Sequence, residues 1–118
     1  MHIEQLRNYC ITKKGVTEHF PFDDTTLVFK VMNKMFALTG VDKFEFINLK
    51  CDPEKAIELR EEFEGVTGAY HMSKKHWNSV ATNGTVGDKL IYQWIDDSYD
   101  LIVSSLTKKL KKELEAID

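Results

Sequence analysis

"TLVFKVMNKMFALTG", Thr26 to Gly40, is the stretch that decides the fold class. Two short runs rich in β-branched and aromatic residues, Thr26–Val31 and Met35–Thr39, flank the polar pair Asn33–Lys34, which predicts a tight hairpin. A link this short joins antiparallel neighbours, because parallel strands need a crossover of about a dozen residues or more. Working outward, "TEHFPF" (Thr17–Phe22) precedes the hairpin across Asp23–Asp24, and "FEFINLK" (Phe44–Lys50) follows it across Gly40–Lys43. Four closely spaced strands with turn-formers between them predict an antiparallel meander.

Helical spacing brackets the meander. Ile3, Leu6 and Cys10 recur at i, i+3, i+7, predicting a helix from His2 to about Lys13 that Gly15 ends. Asp52 is placed to cap a second helix with Pro53 at its first position and Glu54 beside the positive helix end. Its buried stripe is Ala56, Leu59 and Phe63, with Lys55, Glu58, Glu61 and Glu62 toward water, and Gly65 stops it. "WNSVAT" (Trp77–Thr82) reads as a further strand that turns at Asn83–Gly84. Thr85 and Asp88 resemble a capping box, opening a helix with Leu90, Ile91 and Trp94 inward. Asp97–Ser98 then caps a final helix carrying Ile102, Leu106, Leu110 and Leu114. The expectation is one α+β domain over residues 1–118: a helix, a four-strand meander, a helix, a strand and two helices.

Composition narrows the function classes. With 118 residues, 42% hydrophobic and 30% charged, the chain suits one globular core rather than a disordered segment. No apolar run approaches the about 20 residues of a membrane helix, and "MHIEQLRNYC" lacks a signal-peptide core, so no membrane association and a cytoplasmic location are expected. The two cysteines, Cys10 and Cys51, form no C-x-x-C pair and read as reduced, buried thiols. A net charge of −3 counts against a dedicated nucleic-acid module, although a local basic patch is enough for one.

The densest set of functional residue types is "YHMSKKHWNSV", Tyr70 to Val80. His71 and His76 stand five apart, on opposite faces of a strand or about 140° apart on a helix, so neither regular element converges them on one ion. No nearby Cys or Asp completes a zinc set, and neither a metal nor another cofactor is expected. Ser73 has no G-x-S-x-G elbow and no third partner, and no glycine-rich phosphate loop occurs, so nothing supports an enzyme. Lys74, Lys75 and His76 form a compact donor cluster followed by Trp77 and Asn78, a composition suited to phosphate and base contacts. Lys30, Lys34 and Lys50 would add to it if the strand order allows. Against this stands the plainer reading: Trp77 begins an alternating strand and packs in the core, and two loop lysines are simply solvated. The four lysines of "TKKLKKELEAID" are read as the wet face of an amphipathic helix.

Four ordered motifs, "FKVMNKMFAL", "LKCDPEKAIELRE", "YHMSKKHWNSV" and "SYDLIVSSL", resemble those of the MmcQ/YjbR family of small bacterial proteins, from about Phe20 to Leu106. The resemblance implies a CyaY-like fold, an antiparallel sheet with helices packed on one face. It also implies DNA binding of a double-wing type, with strand hairpins as wings, through a surface of His71, Lys74, Lys75, His76 and Asn78 with Arg60 as neighbour. The chain departs from the family pattern at "TGAYH", where proline-glycine often precedes the tyrosine-histidine pair, and at Ser73, which is usually asparagine. A further analogy, to frataxin-type iron binding, fails on the residues: the first helix offers only Glu4 beside Arg7, Lys13 and Lys14. The expectation is therefore a non-catalytic DNA-binding domain. The alternatives are a protein-interaction adaptor, or a small-ligand domain using His71 and Arg60 against an anion.

Overall fold

The computed structural model describes residues 1–117. Its elements run α1 (Ile3–Ile11), β1 (Val16–His19), β2 (Thr26–Val31), β3 (Lys34–Gly40), β4 (Phe46–Lys50), α2 (Pro53–Glu62), β5 (Val66–Gly68), β6 (Trp77–Ala81), α3 (Asp88–Ser104) and α4 (Lys108–Glu115). The six strands form one sheet in the order β1-β2-β3-β4-β6-β5, and every neighbouring pair is antiparallel. The α+β class and the meander are as the sequence predicts.

One face of the sheet carries all four helices. Leu27, Phe29, Val31, Ile47, Leu49 and Val80 from the strands meet Leu6, Leu59, Ile91, Ile95, Ile102 and Leu114 from the helices in a single core. Helix α1 is held against α3 by polar contacts at the rim. The Tyr9 hydroxyl donates to Asp96 at 2.8 Å, Lys13 Nζ reaches the same carboxylate oxygen at 2.5 Å, and the Tyr99 hydroxyl donates to the Lys14 carbonyl at 2.6 Å.

Five local expectations are corrected. The β2–β3 turn is Met32–Asn33, one residue earlier than the sequence suggests, with both φ angles positive (48° and 67°). That left-handed pair matches the twist of a two-residue hairpin. A sixth strand, β5, lies in Val66–Gly68, too short for periodicity to reveal. Phe20–Phe22 lies beyond β1, where Pro21 cannot donate to a ladder. The helix break moves too: α3 runs through Asp97–Ser98, and the chain turns only at Ser105–Thr107, where the Thr107 hydroxyl accepts from Leu110 N–H at 3.2 Å. At the start of α3 the N-cap is Gly87, Thr85 instead bonds Asn83, and Leu90 is exposed rather than inward.

Ser98 shows why α3 is continuous. A bulge opposite Phe29–Lys30 turns both Phe36 and Ala37 into the helix-side core and brings the Phe36 carbonyl within reach of α3. The buried Ser98 hydroxyl donates to that carbonyl at 2.5 Å and accepts from Lys50 N–H at 2.9 Å. A hydroxyl that reads as a cap in sequence is a bolt between helix and sheet.

Candidate functional site: the helix-free face and its loop

Among the described residues, no helix packs on the second face of the sheet. Strand alternation sends Val28, Leu38, Asn48 and Ser79 to it, directly across from one another in the register. Among the described residues, the loop Tyr70–His76, within the connection between β5 and β6, covers part of this face. A small second core of Val28, Leu38, Ala69 and Trp77, with Met35 and Met72 against it, seats the loop. Trp77 is buried there, 9% exposed, as its place at the head of an alternating strand predicts.

The loop is shaped by a few hydrogen bonds. Ser73 O accepts from His76 and Trp77 N–H, Ala69 N–H donates to Trp77 O, and Cys51 N–H donates to His76 O at 2.7 Å. Arg60, reaching from α2, donates to the Lys74 carbonyl at 2.7 Å. It crosses Gly68, where an added Cβ would stand 3.1 Å from Arg60 Nη1 and 3.1 Å from the Lys74 stem, so glycine leaves the clamp its path. Underneath, Asn48 Nδ2 lies 3.6 Å from Met72 Sδ, and its Oδ1 accepts from the Ser79 hydroxyl.

These constraints sort the six residues singled out from the sequence. His71, Lys74 and Lys75 are exposed, and the Arg60 contact places the guanidinium against the same loop. His76 is half-buried at the loop's end. Asn78 is corrected: it is 2% exposed on the helix side, donates to the Ala56 carbonyl at 3.2 Å, and is not part of the exposed surface. The reason is parity, since Asn78 follows Trp77 and must face the opposite side of the sheet. Lys50 pairs with Trp77 and Lys30 with Met35 in the register, so both belong to the helix-free face, while Lys34 begins β3 at the hairpin.

His71 holds a left-handed backbone, φ 62°, and its ring packs against Tyr70 at 4.0 Å between centroids, tilted by 54°, with Lys74 Nζ 5.9 Å from the Tyr70 centroid. Tyr70 is 74% exposed. Tyr70 and His71, with Met72 and Ser73, line a groove of 660 Å³ along the helix-free face, which Phe22, Phe46, Leu38, Asn48 and Ser79 also line. Phe22 and Phe46 are both exposed, 63% and 47%. Sequence reasoning missed both. The alternation Phe46-Ile47-Asn48-Leu49 was the available signal for Phe46, but Phe22 joins the groove only through the turn after Pro21. Charges at the rim are mixed, Asp23 and Glu45 beside Lys43 and His71. Asp23 accepts from Thr25 and Thr26 N–H, which holds its carboxyl below the usual range. Among the described residues, no group of three or more His, Cys, Asp or Glu could hold a metal ion.

The chain is similar in sequence and fold to known proteins. The uncharacterised protein YjbR of Escherichia coli K12 is 32% identical over 115 residues, covering 97% of this chain and 98% of that one. Another uncharacterised protein, YbdF of Escherichia coli O157:H7, is 35% identical over 96 residues, 80% of this chain and 79% of its own. Among solved structures, the Deinococcus radiodurans protein DR2400 superposes with a TM-score of 0.91 at 38% identity, covering 96% of this chain and 87% of that one. Residues 11–101, from the end of α1 into α3 and including the whole loop and sheet, match the YjbR family model. The chain belongs to the YjbR family.

Proposed function

We propose that this protein is a non-catalytic DNA-binding domain that works through the helix-free face of its sheet. The observation that carries the reading is the edge built by the Tyr70–His76 loop: an exposed ring at Tyr70, His71 packed against it, and the Lys74 ammonium nearby, with Lys75 beside it. Across the groove, exposed Phe22 and Phe46 offer further rings at the same face. Aromatic faces accept unpaired or splayed bases whatever their sequence, and flanking lysines neutralise phosphate. Base-edge readout is not part of this proposal, because Asn78 is turned into the core. The net charge of −3 makes the basic edge, rather than the molecule as a whole, the electrostatic attractant.

The test is fluorescence anisotropy with labelled single-stranded and double-stranded oligonucleotides at several salt concentrations. Binding should be tighter to the single strand and should weaken with salt by a log–log slope of about −0.7 per phosphate contact. Lys74→Glu/Lys75→Glu should weaken it about tenfold or more, and Tyr70→Ala by about 1–3 kcal/mol. Absence of binding at low salt, or an unchanged affinity in the double mutant, defeats the reading.

A further inference from the structure

At the β5 edge of the sheet, two cations from different elements converge on one point. Gly68 pairs with Asn78 in the register, so the space over its Cα lies on the helix-covered side, where α2 passes. A Cβ built there would stand 3.1 Å from Nη1 of Arg60, on α2, and 3.1 Å from Cγ and Cδ of Lys74, on the loop. The Lys74 stem therefore crosses the sheet edge, and its ammonium is 5.9 Å from the centre of the Tyr70 ring. Helix α2 carries four exposed acids, Glu54, Glu58, Glu61 and Glu62. Even so, among the described residues neither Arg60 nor Lys74 forms an ion pair. Arg60 gives one N–H to the Lys74 carbonyl at 2.7 Å, and a guanidinium has five to give. Two like charges held together repel, and an anion touching both relieves them. A planar fork with spare donors beside an ammonium matches the oxygens of a phosphate, and Gly68 keeps the space between them open.

We propose that Arg60 and Lys74 together seat one backbone phosphate of a DNA single strand over Gly68. The inference rests on the DNA-binding proposal and extends its surface: a strand with a base on Tyr70 passes the neighbouring phosphate round the β5 edge to the helix-covered side. Arg60 then has two duties. Its Nη1 holds the loop through the Lys74 carbonyl, and its charge neutralises the phosphate.

The experiment measures hexathymidine binding by fluorescence anisotropy across salt concentrations for the wild type, Arg60→Lys and Arg60→Met. Both substitutions remove the guanidinium clamp, and only methionine removes the charge. Arg60→Met should weaken binding about tenfold at low salt and reduce the log–log salt slope by about 0.7, one phosphate contact, while Arg60→Lys keeps the wild-type slope. A residue that only shapes the loop would give the two variants the same slope. A second measurement leaves the protein intact: in 1H–15N spectra of the wild type, the Arg60 Nε–H signal should shift with hexathymidine and stay in place with thymidine, which has no phosphate. Binding with an unmoved Arg60 signal, or with equal slopes in Arg60→Met and wild type, overturns the phosphate seat and leaves the DNA-binding proposal standing. Absence of hexathymidine binding to the wild type at low salt overturns both.

Discussion

Ser98 and Asn78 carry the same lesson: a polar residue's role is set by which backbone atoms lie within its reach. In sequence both look like surface groups, one a helix cap and one a base contact. In the fold each is buried, Ser98 satisfying Phe36 O and Lys50 N–H and Asn78 the Ala56 carbonyl. Ser98→Ala leaves two buried backbone groups unmatched, each costing about 1–3 kcal/mol. Denaturant unfolding should therefore show a loss of about 2–6 kcal/mol, and a loss below about 0.5 kcal/mol would mean the bolt is dispensable. Trp77, by contrast, was legible at the residue scale. Its alternation and size place it in a core, and it anchors the loop whose lysines were noticed beside it.

Among the elements, helices and strands with strong local signals emerged where periodicity put them, and those defined by tertiary neighbours did not. The cap of α2 is written in Asp52-Pro53, and the Asp52 carboxylate accepts from Lys55 N–H, at a long 3.4 Å. Strand β5 has only three residues and exists because β6 offers it a partner, Val66 pairing with Val80. The break between α3 and α4 depends on Thr107, whose hydroxyl takes over as cap after Leu106 has entered the core. Thr107→Ala should lower stability by about 1 kcal/mol and loosen α4 first, seen as faster amide exchange at Leu110 and Lys111. Gly15 marks the place where α4 returns to the α1–β1 corner. It has φ 74°, and an added Cβ would stand 2.5 Å from Leu114 Cδ1, so the glycine in the turn before β1 also admits the last helix, while α1 itself ends earlier, at Ile11 with Thr12 as its C-cap.

Taken as a whole, the molecule is a sheet with a helix-covered side and an open side, and the alkaline response of Tyr9 and Cys10 belongs to the covered one. Burial pushes the Cys10 thiol up from 9.0 to about 12, and burial followed by the bond to Asp96 pushes the Tyr9 hydroxyl up from 10.0 to about 12. Both groups bind their protons more tightly folded than unfolded. Their contribution is therefore complete below about pH 9 and is lost as pH rises toward 12. Thermal midpoints measured from pH 7 upward should fall across this window, and Cys10→Ala should flatten the fall while lowering the plateau; an unchanged slope would locate the effect elsewhere. The open side is where function is proposed, and its legibility was partial. His71, Lys74 and Lys75 could be picked out because loop residues that are polar and dense declare themselves, and the order of four motifs pointed to the family. Phe22 and Phe46 could not be joined to them, because they are separated by 24 residues and meet Tyr70 and His71 only across the groove. Local chemistry, read along the chain, determined by itself the α+β class, the meander, the first two helices and the composition of the loop, since hydrophobic period, capping and turn residues act over a few positions. Only the tertiary structure decided which side of the sheet each residue of β6 faces in contact with what, where α3 ends, and that Arg60 and Lys74 meet over Gly68, because those depend on burial and hydrogen-bond partners supplied from distant parts of the chain.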